Sequence, residues 1–203
     1  MELHLFLRSR QSVRSFKTGG VDGEVIDRIL ATATSAPSAH NRQPWRFVVL
    51  TAHEDKLALA NAMGSRLRED RLRDGDPLSA VEADASRSKG RITGAPVVIL
   101  VFVTMEDMDC YPDARRQEAE RAMAVQGTAM AMQNLLLAAH AERLGACVMC
   151  APLFCPDVIT NVLDTPALWS AQALIILGFA EQVGERKPRK PLSDVVRRRP
   201  LQS

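Results

Sequence analysis

The stretch Glu118–Leu144, EAERAMAVQGTAMAMQNLLLAAHAERL, constrains the fold of this chain more than any other. It is rich in helix formers and contains no proline, so it predicts a helix about 40 Å long. Its residues are apolar almost all round, and such a helix must be buried on every side. We therefore expect it to cover a sheet on one side and a second copy of itself on the other, where alanine and glycine allow close approach. A core helix inside a monomer and a membrane span are the alternatives, and the polar residues inside the stretch argue against the span.

Composition indicates one ordinary globular domain over residues 1–203, because 46% of the residues are hydrophobic and 25% are charged. The net charge of +2 gives no reason to expect a nucleic-acid partner. The first residues are amphipathic and soon charged, without the long apolar core of a secretory signal. We therefore expect a cytoplasmic protein that acts on a small molecule.

Hydrophobic patterning predicts an α+β chain with interleaved helices and strands. Besides the long helix, we expect helices over residues 3–10, 24–35, 53–63 and 157–163. The strands are expected over residues 45–50, 96–103, 146–149 and 171–177, the second of them central because PVVILVFV is apolar throughout. Residues 64–94 are polar and predict a surface excursion of two helices broken near Gly75. The basic, proline-rich tail 181–203 predicts an extension lying along a surface, such as that of a partner subunit.

Four cysteines raise the question of a metal: Cys110, Cys147, Cys150 and Cys155. A tetrahedral site needs four ligands, which His140 or Cys110 could complete. Cys147 and Cys150 lie in the apolar run ACVMC, however, where free cysteine behaves as a small core residue. We expect no metal here, with a metal site and a redox C-x-x-C as the alternatives.

The common nucleotide-binding and hydrolase signatures are absent from the sequence. Three polar segments stand out instead: RQSVR at 10–14, APSAHNRQPW at 36–45 and RKPRKP at 186–191. Taken one at a time, such segments are usually solvated surface.

A mononucleotide with a large flat ring would use these segments together. Its phosphate needs cations and a hydroxyl, which could come from Arg10, Ser12, Lys187 and Arg189. If the ring is a flavin, its reduced form carries negative charge near N1 and O2, and Arg14 is suitably spaced to stabilise it. The ring could be edged by Pro37, Ser38 and Asn41, the last of which can both donate and accept.

Four motifs resemble the FMN-dependent nitroreductase superfamily in order and separation: RQSVRSF, SAPSAHNRQPWRFVV, LGACVM and KPRKPL. Within that superfamily, the segments YPDARRQEAERAM and RITGAPVVIL look most like the C-terminal flavin-reductase domain of the coenzyme F-420 biosynthesis protein FbiB, which is similar to a reductase of dehydro-F-420. The resemblance covers nearly the whole chain.

The resemblance implies an α/β/α sandwich with a mixed, mainly antiparallel sheet, assembled as an intertwined homodimer with FMN at the subunit interface. It assigns the phosphate to Arg10, Ser12, Lys187 and Arg189, and the pyrimidine end to Arg14. The other subunit would supply Pro37, Ser38, Ala39 and Asn41. The ring would be lined by Leu144, Gly145 and Ala146, with a backbone N–H there facing flavin N5. Two residues depart from the family pattern: Gln11, in the same site, replaces a frequent second basic residue, and Ala146 stands where many generic nitroreductases carry Glu-Gly.

Three functions compete. The first is an FMN-dependent reductase of an unsaturated or heteroaromatic ring such as a dehydro-F-420 precursor. The second is a broad nitro, quinone or ene reductase fed by NADH or NADPH, and the third is a flavin-free dimeric binding protein. We expect the excursion to select an anionic substrate through its basic residues, Arg66, Arg68, Arg71, Arg73, Arg87, Lys89 and Arg91. The alternative is a solvated surface, since nearby carboxylates nearly balance these charges.

Overall fold

The computed structural model describes residues 2–186 and 188–199. The helices are α1 Leu3–Ser9, α2 Gly23–Thr34, α3 His53–Arg73, α4 Leu78–Gly94, α5 Ala114–Ala141, α6 Pro156–Leu163 and α7 Leu192–Val195. The strands are β1 Trp45–Leu50, β2 Val97–Thr104, β3 Gly145–Met149 and β4 Trp169–Gly178. Two short 3-10 helices are Ala39–Asn41 and Ala151–Phe154.

The four strands form one sheet in the order β1-β2-β4-β3, and every pair of neighbouring strands is antiparallel. The parallel element is an isolated bridge between Ser12 and Ala146 at the outer edge of β3. β2 is buried along its whole length, as a central strand covered on both faces must be. The α+β fold with a mainly antiparallel sheet is thereby confirmed.

Helices cover both faces of the sheet, which gives the expected α/β/α sandwich. Alternation along β2 sends Val98 and Leu100 to one face, where they join a cluster with Leu59 of α3 and Ile159 of α6. The intervening Ile99 faces the other way, into a cluster that is built mainly from α2 and α5.

Helix α5 has different ends from those that its sequence suggested. It begins at Ala114 rather than Glu118, because the Asp113 side chain accepts the Arg116 N–H and caps the first turn. It ends at Ala141 rather than at residue 144, because Arg143 takes a left-handed conformation with φ of 60°.

Within one chain α5 is buried on one side only. Leu135 and Ala139 are fully buried against the sheet, whereas the opposite side is exposed and almost uncharged: Ala122, Gln126, Ala129, Met130 and Gln133. The expected burial on every side is not met within one chain, and the second copy that would supply it remains a prediction. Within the described residues, no helix has the length and apolar character needed to cross a membrane.

The polar segment 64–94 forms most of a helical hairpin. α3 continues to Arg73 instead of ending near residue 63, and the chain reverses at Gly75, whose φ is +87°. The inner side of α4 belongs to the buried core, since Val81, Ala85 and Ile92 are almost inaccessible. The expected pair of helices is present. The inner side of α4 packs into the core, whereas the sequence predicted a segment lying wholly on the surface.

Candidate functional site

The N-terminal segment 10–14 lies along the free edge of β3. The Val13 N–H donates to the Ala146 carbonyl at 3.1 Å, and Ser12 forms the parallel bridge to the same residue. Val13 is buried, so the alternation of side chains along extended backbone leaves Ser12 and Arg14 exposed. This pairing fixes the direction in which the polar side chains of the segment point.

Gly145 allows this close approach. A Cβ atom at that position would lie only 2.6 to 2.8 Å from the three side-chain carbons of Val13. Contacts that short do not occur between real side chains, so any larger residue at position 145 would displace the segment.

The C-terminal tail reaches the same place because it pairs with residues that follow the segment. The Lys17 N–H donates to the Phe179 carbonyl at 2.9 Å, and the Glu181 N–H donates to the Ser15 carbonyl at 3.1 Å. The Ser15 hydroxyl donates to the Glu181 carboxylate as well. These bonds bring residues far apart in sequence to one edge of the molecule.

A polar cavity of about 200 Å³ lies between the segment and the tail. Its lining is Arg10, Gln11, Ser12, Arg14, Gly184, Glu185, Arg186 and Arg189. The described lining thus has four guanidinium groups and one carboxylate, which makes the cavity a site for an anion. Four of the residues expected to hold a phosphate or the pyrimidine, Arg10, Ser12, Arg14 and Arg189, meet here. The fifth, Lys187, lies outside the described residues.

A larger open cavity of about 580 Å³ adjoins the polar one, and the two share Arg10 and Gln11. Leu144, Gly145 and Ala146 line it, as expected of residues beside a flat ring. Sequence reasoning missed the others that matter: Phe6, Ser9, Leu136, His140, Arg143 and Val183. No motif marks these residues: Phe6 and Ser9 of α1 contact His140 at the end of α5, and Val183 comes from the tail.

The backbone of Leu144–Ala146 is largely engaged within the protein. The Leu144 N–H donates to the Ala139 carbonyl at 2.8 Å, and the Ala146 carbonyl accepts from Val13. Because the N–H and C=O of one strand residue point to the same side, the Ala146 N–H also faces the N-terminal segment. The Leu144 N–H is therefore already engaged, and the expectation that a backbone N–H of this stretch faces flavin N5 remains a prediction.

The loop with Pro37, Ser38, Ala39 and Asn41 lies elsewhere, against the middle of α5. A Cβ atom at Gly127 would be 3.2 Å from the Ser38 Cβ, so glycine lets the loop dock closely. None of these four loop residues lines either cavity of its own chain. The expectation that they serve the other subunit's site therefore remains a prediction.

This loop has an unusual backbone that neighbouring groups hold in place. Three residues other than glycine are left-handed, namely His40, Asn41 and Gln43. The Ser38 hydroxyl accepts the Gln43 N–H at 2.9 Å, and Arg42 pairs with Asp109 at 2.6 Å. Strained conformations of this kind persist where the surroundings over-determine them, and they cluster at functional sites.

The arginines of the helical hairpin are mostly bound to carboxylates. Arg66 pairs with Asp157 at 2.7 Å, and Arg68 pairs with Glu82 at 2.7 Å. Further pairs join Arg71 to Asp76 and Asp84, Arg73 to Glu69 and Asp70, and Arg87 to Asp84. In the described part of the chain, Lys89 and Arg91 have no such pair. The hairpin therefore offers far less free positive charge than its sequence suggests.

The cysteines are all free thiols. Cys147 and Cys155 are buried, and Cys110 and Cys150 are exposed. Burial, the larger effect, raises the pKa of the Cys155 thiol. Among the described residues, no three of the histidine, cysteine, aspartate and glutamate side chains are grouped so that they could hold a metal ion.

Comparison with known proteins gives consistent matches. The sequence profile of the nitroreductase family matches residues 7–179. A 5,6-dimethylbenzimidazole synthase of Rhodobacter capsulatus is 31% identical over 179 residues, which span 86% of this chain and 82% of that protein. An NADH dehydrogenase of Thermus thermophilus is 26% identical over 211 residues, covering 92% of this chain and 91% of that one.

The solved structures that resemble this chain are of the same kind as its sequence relatives. A BluB-like flavoprotein from Clostridium difficile 630 superposes with a TM-score of 0.79 at 25% identity, covering 97% of this chain and 98% of that chain. A nitroreductase from Desulfovibrio desulfuricans, solved in complex with FMN, gives a TM-score of 0.72 at 26% identity and covers 98% and 97% of the two chains.

Proposed function

Since this chain belongs to the nitroreductase family, we propose that it reduces an unsaturated or heteroaromatic ring with electrons from NADH or NADPH. It is an oxidoreductase that uses FMN, in keeping with the family and with the FMN complex of its structural neighbour. The observation that carries the proposal is the meeting of Arg10, Ser12, Arg14 and Arg189 at one cavity.

The lining of the two cavities fits the two ends of FMN. In the polar cavity, Arg10, Ser12 and Arg189 would hold the phosphate through charge-assisted hydrogen bonds. Arg14 lines that cavity and not the larger one, so its proposed place at the pyrimidine end requires the ring to extend past the boundary between the two cavities. The larger cavity offers the apolar surface that a flat ring needs, beside Gly145 and Ala146. FMN supplies the hydride transfer, so the protein's task is to hold the cofactor and exclude water.

The finer substrate proposal is a dehydro-F-420 precursor, and it rests on the resemblance of YPDARRQEAERAM and RITGAPVVIL quoted above. The paired hairpin arginines give it no support, because they are already neutralised. A second candidate, favoured by the 31% identical relative, is the formation of 5,6-dimethylbenzimidazole. The broad nitro, quinone or ene reductase is the third.

Purification without added flavin tests the proposal directly. We expect a yellow protein that releases FMN on denaturation and whose absorbance near 450 nm bleaches with NADH or NADPH under nitrogen. Turnover with dehydro-F-420, menadione and nitrofurazone then ranks the substrates. A colourless protein that does not bind added FMN would favour the flavin-free binding protein instead.

The hairpin's role in selectivity can be tested with one pair of variants. If it selects anionic substrates, Arg91→Ala should raise KM for dehydro-F-420 and leave KM for menadione unchanged, because Arg91 has no carboxylate partner among the described residues. Arg68→Ala, which breaks the pair with Glu82, is the matched control. Equal responses of both substrates would remove the hairpin as the selector.

We further propose a cytoplasmic homodimer in which the exposed side of α5 meets its copy and the loop at residues 37–41 completes the partner's site. The nearly uncharged, alanine-rich surface described above supports this, since small residues let two helices approach closely. The exposed tail would then lie on the partner. Obligate interfaces of this kind bury more than about 2,000 Å².

Ala129→Arg is expected to convert the dimer to monomers, because it places a charge in the middle of the proposed helix contact. Sedimentation velocity at micromolar concentration measures the change. Ala83→Arg, on the exposed side of α4, controls for an added arginine on a helix and should remain dimeric. If both variants sediment like the wild type, the exposed side of α5 is not the interface.

A further inference from the structure

His140 occupies a distinctive place in the larger cavity. It lies in the last turn of α5, and its Nε2 is 2.7 Å from the Ser9 hydroxyl oxygen. That hydroxyl donates its own proton to the Phe6 carbonyl at 2.8 Å. With the hydroxyl proton used in that bond, we assign the ring hydrogen to Nε2, which then donates to Ser9 and leaves Nδ1 with a lone pair. The Phe6 ring packs on the imidazole with a centroid separation of 4.9 Å.

Among the described residues, the charged side chains that line the cavity with His140 are of one sign: Arg10 and Arg143 do so, and no carboxylate does. The nearest acid in sequence, Glu142, is bound to Arg28 of α2 at 3.1 Å and lies outside the lining. Of the described residues after β4, the lining includes Ala180 and Val183, which are uncharged. Burial first, and the Arg10 charge second, lower the pKa of His140, so the imidazole is neutral at pH 7.

We propose that His140 is a further residue of the cofactor site, one that takes up a proton when a phosphate dianion binds beside Arg10. The proposal rests on the proposed FMN function. Arg10 belongs to both cavities, so an anion that pairs with it offsets the repulsion that, after burial, lowers the pKa of His140. The proton comes from solvent and binds to Nδ1, because Nε2 is already donating to Ser9. The imidazolium then adds a positive charge near the bound anion.

The direction of the pH dependence follows from linkage. The pKa of His140 is low in the free protein and higher in the complex, so the complex binds the additional proton. The contribution of His140 to FMN affinity therefore rises as the pH falls between those two values, whereas protonation of the phosphate itself, with its second pKa of about 6, acts the other way in the wild type and in a His140 variant alike. Riboflavin, which has no phosphate, should show no such rise.

Calorimetric titration of the protein, stripped of flavin, with FMN tests this in two buffers of different ionisation enthalpy at about pH 6.5. The wild type should take up more protons per FMN than His140→Gln, by up to about one. The wild-type advantage in affinity should grow roughly three- to tenfold from about pH 8 to pH 6.5. His53→Gln, exposed at the start of α3, is the matched control and should behave as the wild type.

Histidine NMR gives a second readout that needs no variant: FMN should raise the apparent pKa of one imidazole, and riboflavin should not. Equal proton uptake by wild type and His140→Gln, or a histidine titration that FMN leaves unchanged, would overturn the inference. Failure of the wild type to bind FMN at all would instead overturn the proposed function on which the inference rests.

Discussion

Replacing Arg10 with alanine is expected to weaken FMN binding by roughly ten- to a hundredfold while leaving riboflavin binding nearly unchanged. A charge-assisted hydrogen bond to phosphate contributes about 1.5–3 kcal/mol, and riboflavin has no phosphate to lose. Arg10 is the residue to change because it lines both cavities. Fluorescence titration of the two flavins into flavin-free protein measures the difference.

Arg8→Ala is the matched control for Arg10→Ala. Arg8 lies in the last turn of α1, is exposed and lines neither cavity, so its loss removes a nearby positive charge without removing a phosphate ligand. It should leave both affinities almost unchanged. Equal losses for FMN and riboflavin in Arg10→Ala would mean that Arg10 acts on the fold and not on the phosphate.

Gly145→Ala should both destabilise the protein and reduce its affinity for FMN. The new methyl group would overlap Val13, whose side-chain carbons lie within 2.6 to 2.8 Å of it, and such overpacking costs about 1–3 kcal/mol. Since Val13 is paired with Ala146, relief of the overlap must move the segment that carries Ser12 and Arg14. Thermal unfolding and FMN titration measure the two effects.

A glycine on the exposed side of α4 provides the control. A Cβ atom at Gly90 would meet nothing within 4 Å, so Gly90→Ala should raise stability by about 0.5–1 kcal/mol through helix propensity. FMN affinity should not change. If Gly145→Ala unfolds like the wild type and keeps its affinity, the contact between the segment and β3 does not organise the cofactor site.

The helices and strands that could be predicted from the sequence are those in which the order of apolar and polar residues directly indicates which residues are buried. VVILVFVT can only be a strand covered on both faces, and β2 is that strand. Because the second half of α3, GSRLREDRLR, is largely polar and contains a glycine, the sequence predicts a helix over residues 53–63 and a separate one after it, whereas α3 is continuous to Arg73. The ion pairs that support it, such as Arg68 with Glu82, join α3 to α4 and leave no local pattern.

Part of the candidate site could also be predicted from the sequence. Its polar segments stand out because they serve no core, and several of them meet at one cavity. Phe6, Ser9 and His140 could not be assigned to the cofactor site, because no local pattern shows that Phe6 and Ser9 of α1 lie beside His140 at the end of α5. The pairing of Ser12 with Ala146 spans most of the chain and is decided by tertiary packing alone.

The left-handed loop has a consequence for how this protein can vary. At His40, Asn41 and Gln43 the φ angles of 50°, 53° and 50° suit glycine best, yet each position carries a side chain. Left-handed backbone costs a residue such as His40 or Gln43 about 1–2 kcal/mol, and asparagine less, against a net stability of about 5–15 kcal/mol for a typical domain. Glycine at these positions would remove the strain in the folded protein, but it would also raise the conformational entropy of the unfolded chain. Because the loop lowers the free energy of unfolding, the rest of the domain can accept fewer destabilising mutations. Homologues in which the loop has lost its function could replace these residues with glycine and accept more of them.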